Sequence, residues 1–168
     1  MSEDGQTIFS GGSIWDNTIK VWDLATGQLK STLTGHNGSE SVAISPDGQT
    51  IVSGSAPSTI KVGDLATSQL KSILTGHNDS VSSVAISPDG QTIVSGSAPS
   101  TIKVWDLVTG QLKDTLPSNN YSITSVAISS DGRTILTFPR FRYAKTGGFL
   151  VQRPDLTTQD CSNVALNP

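Results

Sequence analysis

The 168-residue chain has little of what disulfide-rich, membrane and nucleic-acid-binding proteins depend on. Its one cysteine, Cys161, cannot form an internal disulfide, so we expect a reducing, cytoplasmic environment. Charged residues make up only 15%, and the net charge of −3 provides no long-range attraction to nucleic acid or to an anionic membrane. No apolar run approaches the roughly 20 residues that a transmembrane helix needs. We therefore expect a soluble chain that binds neither nucleic acid nor a membrane.

Candidate catalytic and metal-ligating residues are also few. The two histidines, His36 and His77, each lie in a Gly-His-Asn sequence, and Cys161 is far from both along the chain. A metal site would need acidic or cysteine ligands beside these histidines. The two glutamates, Glu3 and Glu40, do not suggest a catalytic pair, and the sequence contains no Gly-x-Ser-x-Gly segment. We expect no catalytic residue, no metal and no cofactor.

What the sequence has in abundance is repetition, at a period of about 42 residues. The dipeptide Asp-Gly recurs at 4–5, 47–48, 89–90 and 131–132. The phrase TIKV follows it at 18–21, 59–62 and 101–104. Such a period is typical of repeat architectures. We expect one domain over residues 1–168, with units at approximately 3–41, 42–83, 84–125 and 126–168, the last of them degenerate.

Within each unit the pattern predicts short β-strands. In TIKVW, Ile102 and Val104 alternate with polar residues, which places apolar side chains on one face of a strand. The segment 87–90, Ser-Pro-Asp-Gly, has the residues of a type I turn, with Pro and Gly at their favoured positions. Four short strands in a fixed period indicate a β-propeller rather than a sandwich or barrel.

Two dipeptides, Gly76-His77 and Trp105-Asp106, belong to a phrase that resembles the WD-repeat (WD40) family of β-propellers. The resemblance covers residues 3 to about 135. It implies an all-β propeller of four-stranded antiparallel blades, with about four blades, or a fragment of a larger propeller. It also implies a hydrogen-bonded network in each blade that joins the His of Gly-His, an Asp, a Ser or Thr, and the Trp, because buried polar groups need partners.

Each unit keeps only part of that network. The matching residues are Ser10, Asp16 and Trp22 in the first unit, His36 and Ser53 in the second, and His77, Ser95 and Trp105 in the third. Pro57 and Pro99 stand where the resemblance implies Asp, so each histidine is expected to lack that acceptor. Gly63 stands in place of the second unit's Trp. Losing a buried indole without repacking should cost about 3–5 kcal/mol.

The resemblance implies a non-catalytic scaffold that binds protein partners through loops at the propeller's rims. Loops carry binding residues in many folds, and the segment 11–16 is longer than its counterparts and contains an extra Trp. The candidate contact residues are Trp15, Asn37, Asn78, Asp79 and Tyr121.

Two other interpretations are kept. The first is a structural propeller unit that forms a larger ring by homo-oligomerisation through open strand edges. If residues 162–168, which resemble the inner-strand phrase SSVAISP, instead close the ring, the chain is expected to be a monomer. The second is a hydrolase that uses Asp and His side chains on one rim.

Overall fold

The computed structural model of the chain describes residues 5–11, 17–35, 38, 41–98, 101–116, 122–139 and 149–152. Within these residues the regular structure is entirely β-strand. The strands are β1 Thr7–Gly11, β2 Thr18–Asp23, β3 Leu29–Thr34, β4 Ser41–Ile44, β5 Thr50–Ser55, β6 Thr59–Asp64, β7 Leu70–Leu74, β8 Val81–Ile86, β9 Thr92–Ser97, β10 Thr101–Asp106, β11 Leu112–Leu116, β12 Ile123–Ile128, β13 Thr134–Pro139 and β14 Phe149–Gln152. The described part contains no helix long and apolar enough to cross a membrane.

The strands form four antiparallel sheets in chain order, which we call blades 1 to 4. Blade 2 has the order β4-β5-β6-β7 and blade 3 the order β8-β9-β10-β11. Blade 1 contains β1-β2-β3 and blade 4 contains β12-β13-β14. The first strands of successive blades pack against each other, β4 against β8 and β8 against β12. The all-β propeller expected from the sequence is confirmed.

The antiparallel order divides the connections between two ends of each blade. We call the end that carries the β5–β6 and β7–β8 connections the upper rim. The lower rim carries the β4–β5 and β6–β7 connections, with their repeat equivalents in blade 3. On the lower rim the predicted turn is formed, since the Gly90 amide donates to the Ser87 carbonyl at 2.8 Å. Gly90 has a φ of +68°, a conformation that favours glycine.

The apolar core lies between neighbouring blades. The predicted alternation is seen in β10, where Ile102 and Val104 are buried while Thr101 and Lys103 are only partly so. One cluster joins blades 2 and 3 and includes Val62 and Trp105, and further clusters join blades 1 and 2 and blades 3 and 4. Because burying one such aliphatic side chain contributes about 1.5–3 kcal/mol, each blade is stabilised mainly by its neighbours.

A glycine in the second strand of a blade allows the next blade to approach closely. A Cβ on Gly54 would lie 2.5 Å from the Val81 carbonyl oxygen, which is far too close. A Cβ on Gly96, one repeat later, would overlap the Ile123 side chain and lie 3.0 Å from Cγ1 of Val126. The glycine of the repeated Ser-Gly-Ser sequence is therefore required where two blades meet.

Serine hydroxyls join the first strands of neighbouring blades next to these glycines. The Val84 amide donates to Oγ of Ser41 at 3.0 Å, and the Val126 amide donates to Oγ of Ser83 at 3.0 Å. The two bonds are equivalent, one repeat apart. They give partners to backbone amides that lie at a blade junction, where an unpaired amide would be destabilising.

Gly96→Ala is expected to lower the free energy of unfolding by about 1–3 kcal/mol, since the added methyl group overlaps Ile123. Urea denaturation followed by tryptophan fluorescence measures the change. Ile123→Ala removes the overlapping methyl group, so the double variant should lose less stability than the sum of the two single variants. Strict additivity would contradict a direct clash at this junction.

Candidate functional site

Blade 3 contains a buried hydrogen-bond network centred on the hydroxyl of Ser95. Nε2 of His77 lies 2.7 Å from Ser95 Oγ, and the Trp105 indole Nε1 donates to the same oxygen at 2.8 Å. Ser95 lies on β9 and Trp105 on β10, directly beside it in the sheet, while His77 enters from the β7–β8 connection. The network therefore ties a loop of the upper rim to the two middle strands of the blade.

The second ring nitrogen of His77 also has a partner. Nδ1 lies 3.1 Å from Oγ1 of Thr101, the first residue of β10. This differs from the expectation that Pro99 leaves the histidine without its second acceptor. Pro99 itself lies outside the described residues. Thr101 shares a face of β10 with Trp105, because residues two and four apart in a strand point the same way.

Burial determines the chemistry of this network. His77 is 5% exposed, and burial, helped by the nearby Lys103 charge, lowers the pKa of its imidazole to about 4. The ring is therefore neutral at pH 7 and can accept one hydrogen bond while it donates the other. Ser95 is completely buried, so its hydroxyl is out of reach of any substrate, although it lies beside a histidine as in a hydrolase. The arrangement serves as an internal brace.

Gly76 gives the indole the space that this brace requires. A Cβ on Gly76 would lie 3.2 Å from Cη2 of Trp105, and the glycine has a φ of +145°, which other residues rarely adopt. The His77 and Trp105 rings are also in contact, with centroids 6.0 Å apart at a tilt of 52°. The Gly-His dipeptide thus acts as a unit, in which glycine makes room for the tryptophan and histidine binds its hydrogen-bond partner.

Blade 1 has a smaller version of the brace. Nε1 of Trp22 donates to Oγ of Ser10 at 3.1 Å, and both residues are more exposed than their counterparts in blade 3. Asp16, the third residue assigned to this unit, lies outside the described residues. In blade 4, Thr137 on β13 is 3% exposed at the position equivalent to Ser95.

Blade 2, which has Gly63 in place of the tryptophan, contains a buried lysine on β6. Lys61 is 9% exposed, and its ammonium group donates to the carbonyl oxygen of Gly35. Gly35 is the repeat equivalent of Gly76, against which the Trp105 ring packs in blade 3. Burial lowers the pKa of Lys61. Lys61 lies two residues before Gly63 on the same face of β6, so this face of blade 2 carries a buried lysine and no indole.

The equivalent lysine in blade 3 points elsewhere. Lys103 is only partly buried, and its amine donates to Oγ1 of Thr115 on the outer strand at 3.0 Å. Ser53, on β5 of blade 2, is completely buried, whereas His36 of that unit lies outside the described residues. The roles of Lys61 and Thr101 were missed from the sequence, although the shared strand face within TIKVW was a usable signal.

Of the five candidate contact residues, Asn78 and Asp79 lie in the described part of the chain. Both are exposed on the upper rim, in the β7–β8 connection directly after His77. The Asp79 carbonyl accepts a hydrogen bond from Oγ of Ser97 at 3.0 Å, and its carboxylate accepts one from the Ser80 amide at 2.6 Å. Trp15, Asn37 and Tyr121 lie outside the described residues.

Comparison with known families agrees with this geometry. Three segments of the sequence match the family "WD domain, G-beta repeat": residues 1–23, 27–64 and 68–106, together more than half of the chain. The chain belongs to the WD40 repeat family. The third match ends at Trp105-Asp106, the signature dipeptide of the braced blade.

Two curated relatives of this WD40 chain are RACK1 proteins. The small ribosomal subunit protein RACK1y of Oryza sativa subsp. japonica is 49% identical over 49 residues, or 29% of this chain and 14% of that protein. The small ribosomal subunit protein RACK1 of Drosophila melanogaster is 49% identical over 45 residues, or 26% of this chain and 14% of that protein. The matched segment thus spans about one-seventh of each relative's length.

Similarity to solved structures supports the fold. Hydrazine synthase of Kuenenia stuttgartiensis superposes with a TM-score of 0.80 over 89% of this chain and 43% of that chain, at 23% identity. At this identity the similarity shows the fold alone. Within the described residues of the WD40 chain, no group of three His, Cys, Asp or Glu side chains could hold a metal ion.

Lys61→Ala is expected to lower the free energy of unfolding of the WD40 chain by about 2 kcal/mol, because it removes a buried stem and leaves the Gly35 carbonyl without its lysine donor. The matched control is Lys103→Ala, at the same repeat position but more exposed, which should change stability by less than about 0.5 kcal/mol. Urea denaturation compares the two. Equal losses would show that the burial of Lys61 and its bond to the Gly35 carbonyl add no stability.

The buried imidazole predicts a specific pH dependence of stability. The pKa of His77 is about 4 in the folded chain and near 6.5 in the unfolded chain. The neutral imidazole therefore makes its full contribution to the free energy of unfolding above pH 6.5, and this contribution is lost as the pH falls towards 4. The loss should be about 2–3 kcal/mol. His77→Gln, which cannot titrate, should remove this step. The loss of stability that accompanies protonation of Asp64, whose folded pKa is about 2, takes place below pH 4 and should remain in the His77→Gln variant.

Proposed function

We propose that this WD40 chain is a non-catalytic scaffold in the cytoplasm, a single domain of four repeat units that binds protein partners through the loops of its upper rim. The observation that carries the proposal is the β7–β8 loop. Asn78 and Asp79 are exposed, while His77 on one side and the Ser97 hydroxyl on the other fix the backbone of the loop. A fixed loop with exposed polar side chains loses little conformational entropy on binding a partner.

The chemistry of the described residues supports a scaffold rather than a hydrolase. The pair that resembles a nucleophile and base, Ser95 and His77, is buried and shares its hydroxyl with the indole of Trp105. The RACK1 relatives are named as small ribosomal subunit proteins, and are thus components of an assembly. The shared WD40 repeats favour the same general role here, with partners of this chain's own.

A second candidate function is self-assembly, which the blade edges favour. Within the described residues, blades 1 and 4 have three strands each, whereas blade 2 has four. Among these strands, blade 1 has no counterpart of the inner strand β4, so β1 is its edge strand. Blade 4 has no counterpart there of the outer strand β7, so β14 is its edge strand. A strand edge of this kind can pair with another chain. The candidate product is a larger ring of two or more copies.

A pull-down with a tagged chain distinguishes these functions. If the upper rim binds partners, Trp15→Ala and the double variant Asn78→Ala/Asp79→Ala should each reduce partner recovery about tenfold, a loss of about 1.4 kcal/mol. Gln111→Ala, an exposed change on the lower rim, serves as the control. Equal recovery by all variants would refute the upper-rim scaffold. An untagged copy of the chain is added to the lysate, and its retention in place of other proteins would favour self-assembly.

A further inference from the structure

Each blade has two faces, one towards the preceding blade and one towards the following blade, which we call its leading face and its trailing face. Where blades 3 and 4 meet, Ile135 of the leading face of blade 4 shares a buried cluster with Val94 of the trailing face of blade 3. Ile51 and Ile93 hold the position of Ile135 on the leading faces of blades 2 and 3. Among the described strands, no blade precedes blade 1 and none follows blade 4.

The leading face of blade 1 has the side chains of a blade junction, yet it is open to solvent. Ile8 is 37% exposed, whereas its repeat equivalents Ile51 and Ile93 are completely buried. Trp22 lies opposite Ile8 in the sheet, and its hydrogen-bond partner Ser10 is two residues further along β1, so all three share this face. Trp22 is only half-buried and Ser10 is exposed. This face therefore lacks the cover that a preceding blade gives its equivalents.

The trailing face of blade 4 is open in the same way. Phe138 is 48% exposed, one of the most exposed large apolar side chains in the described strands. Leu136, two residues earlier on the same face of β13, is only partly buried, while its repeat equivalents Val52 and Val94 are 0% and 1% exposed. Because Ile8 and Phe138 both remain exposed, the two end faces do not cover each other within one chain.

Phe138 stands at the position that is glycine in the other blades. It lies opposite Ser125 in the pairing of β12 and β13, just as Gly96 lies opposite Ser83 in the pairing of β8 and β9. Glycine is needed at 96 because the side chain of Ile123, on the first strand of the following blade, lies where a Cβ would be. A blade with such a first strand cannot pack on Phe138 in this way.

The described part of blade 1 contains no counterpart of that first strand. Its sheet begins at β1, the equivalent of the second strands β5 and β9. On the leading face of blade 1, the space that Ile123 fills in blade 4 is therefore not filled by a described strand. A phenyl group on the opposing face has a place there that it would not have at the junctions inside the chain.

We propose that the trailing face of blade 4 packs against the leading face of blade 1 in a second copy of this chain. Phe138 takes the place of the absent first-strand side chain, and Leu136 covers Ile8 and Trp22 as Val94 covers its neighbours inside the chain. The contact presupposes the self-assembly named above as the second candidate function, but it is made by blade faces rather than by pairing of strand edges. It joins two exposed apolar surfaces, which water disfavours.

The contact is head-to-tail, so repeated copies form either a closed ring or an open filament. Two copies of four blades each make a ring of about eight blades, which is within the range of about four to eight that is typical of propellers. In such a ring both kinds of end face are covered in both copies. We therefore expect a dimer rather than a filament.

Sedimentation velocity of the purified chain at increasing concentration measures this association. We expect a species of about twice the 17.5 kDa of one chain. Ile8→Ser and Phe138→Ser should each weaken the dimer about tenfold or more, since each removes an apolar side chain from the contact. The matched control is Ile73→Ser, because Ile73 is 49% exposed on β7 of blade 2, away from both end faces, and its loss should leave the dimer unchanged. Circular dichroism checks that each variant is folded.

Mixing of two charged variants tests the head-to-tail arrangement. Ile8→Lys and Phe138→Glu should each be monomeric alone, because a charge then faces an apolar surface. An equimolar mixture should form heterodimers, in which one junction is unchanged and the other joins the two opposite charges. A mixture that remains monomeric would contradict a contact between these two faces.

The remaining outcomes separate this proposal from the functions proposed above. A dimer that Ile8→Ser and Phe138→Ser both leave intact would refute the face contact while self-assembly itself stands, through strand edges. A monomer at every concentration would refute both. Neither result affects the upper-rim scaffold, which is decided by the pull-down with Asn78→Ala/Asp79→Ala.

Discussion

Everything in this propeller depends on how closely one blade can approach the next. At Gly54 and Gly96 the second strand has no room for a Cβ, because the first strands of the following blades fill that space. This close approach buries the aliphatic clusters between blades and brings the hydroxyls of Ser41 and Ser83 within reach of backbone amides in the next blade. Side-chain size at one repeated position therefore decides both the packing and the polar contacts of the junction.

The brace of His77, Ser95 and Trp105 acts at a different level, since it holds the strands and upper loop of one blade together. Blade 2 has Gly63 in place of the tryptophan, and there Lys61 is buried and donates to the Gly35 carbonyl. A bare cavity in place of the indole would cost about 3–5 kcal/mol, whereas a flexible side chain can fill much of the same space. The buried stem of Lys61 and its carbonyl contact are therefore expected to stabilise blade 2, which has no indole on this strand face.

The features predicted from the sequence are those set by local pattern. Alternation in TIKVW predicts the strand, Ser-Pro-Asp-Gly predicts the turn, and the period of about 42 residues predicts the stacking of similar units. The partners of Thr101 and Lys61 were not predicted, because they depend on which neighbouring space is empty and on which acceptor the fold brings near. The residues of β6 and β10 show which side chains share a strand face, but they do not show what lies opposite that face. A cleft on the lower rim likewise arises from two blades, since it is lined by Asp47 of blade 2 and Val108 of blade 3, which are far apart in sequence.

Comparison among the repeats separates positions that hold the propeller together from positions that differ without a structural need. The Ser-Gly-Ser and Asp-Gly sequences are kept where geometry demands them, at blade junctions and in turns of positive φ. Val108 stands at a turn where alanine serves equally well in two other repeats, and its side chain gains almost no burial from the change. An apolar group left in water contributes almost nothing to folding, so the repeats can exchange alanine and valine at this turn without affecting the packing of the blades.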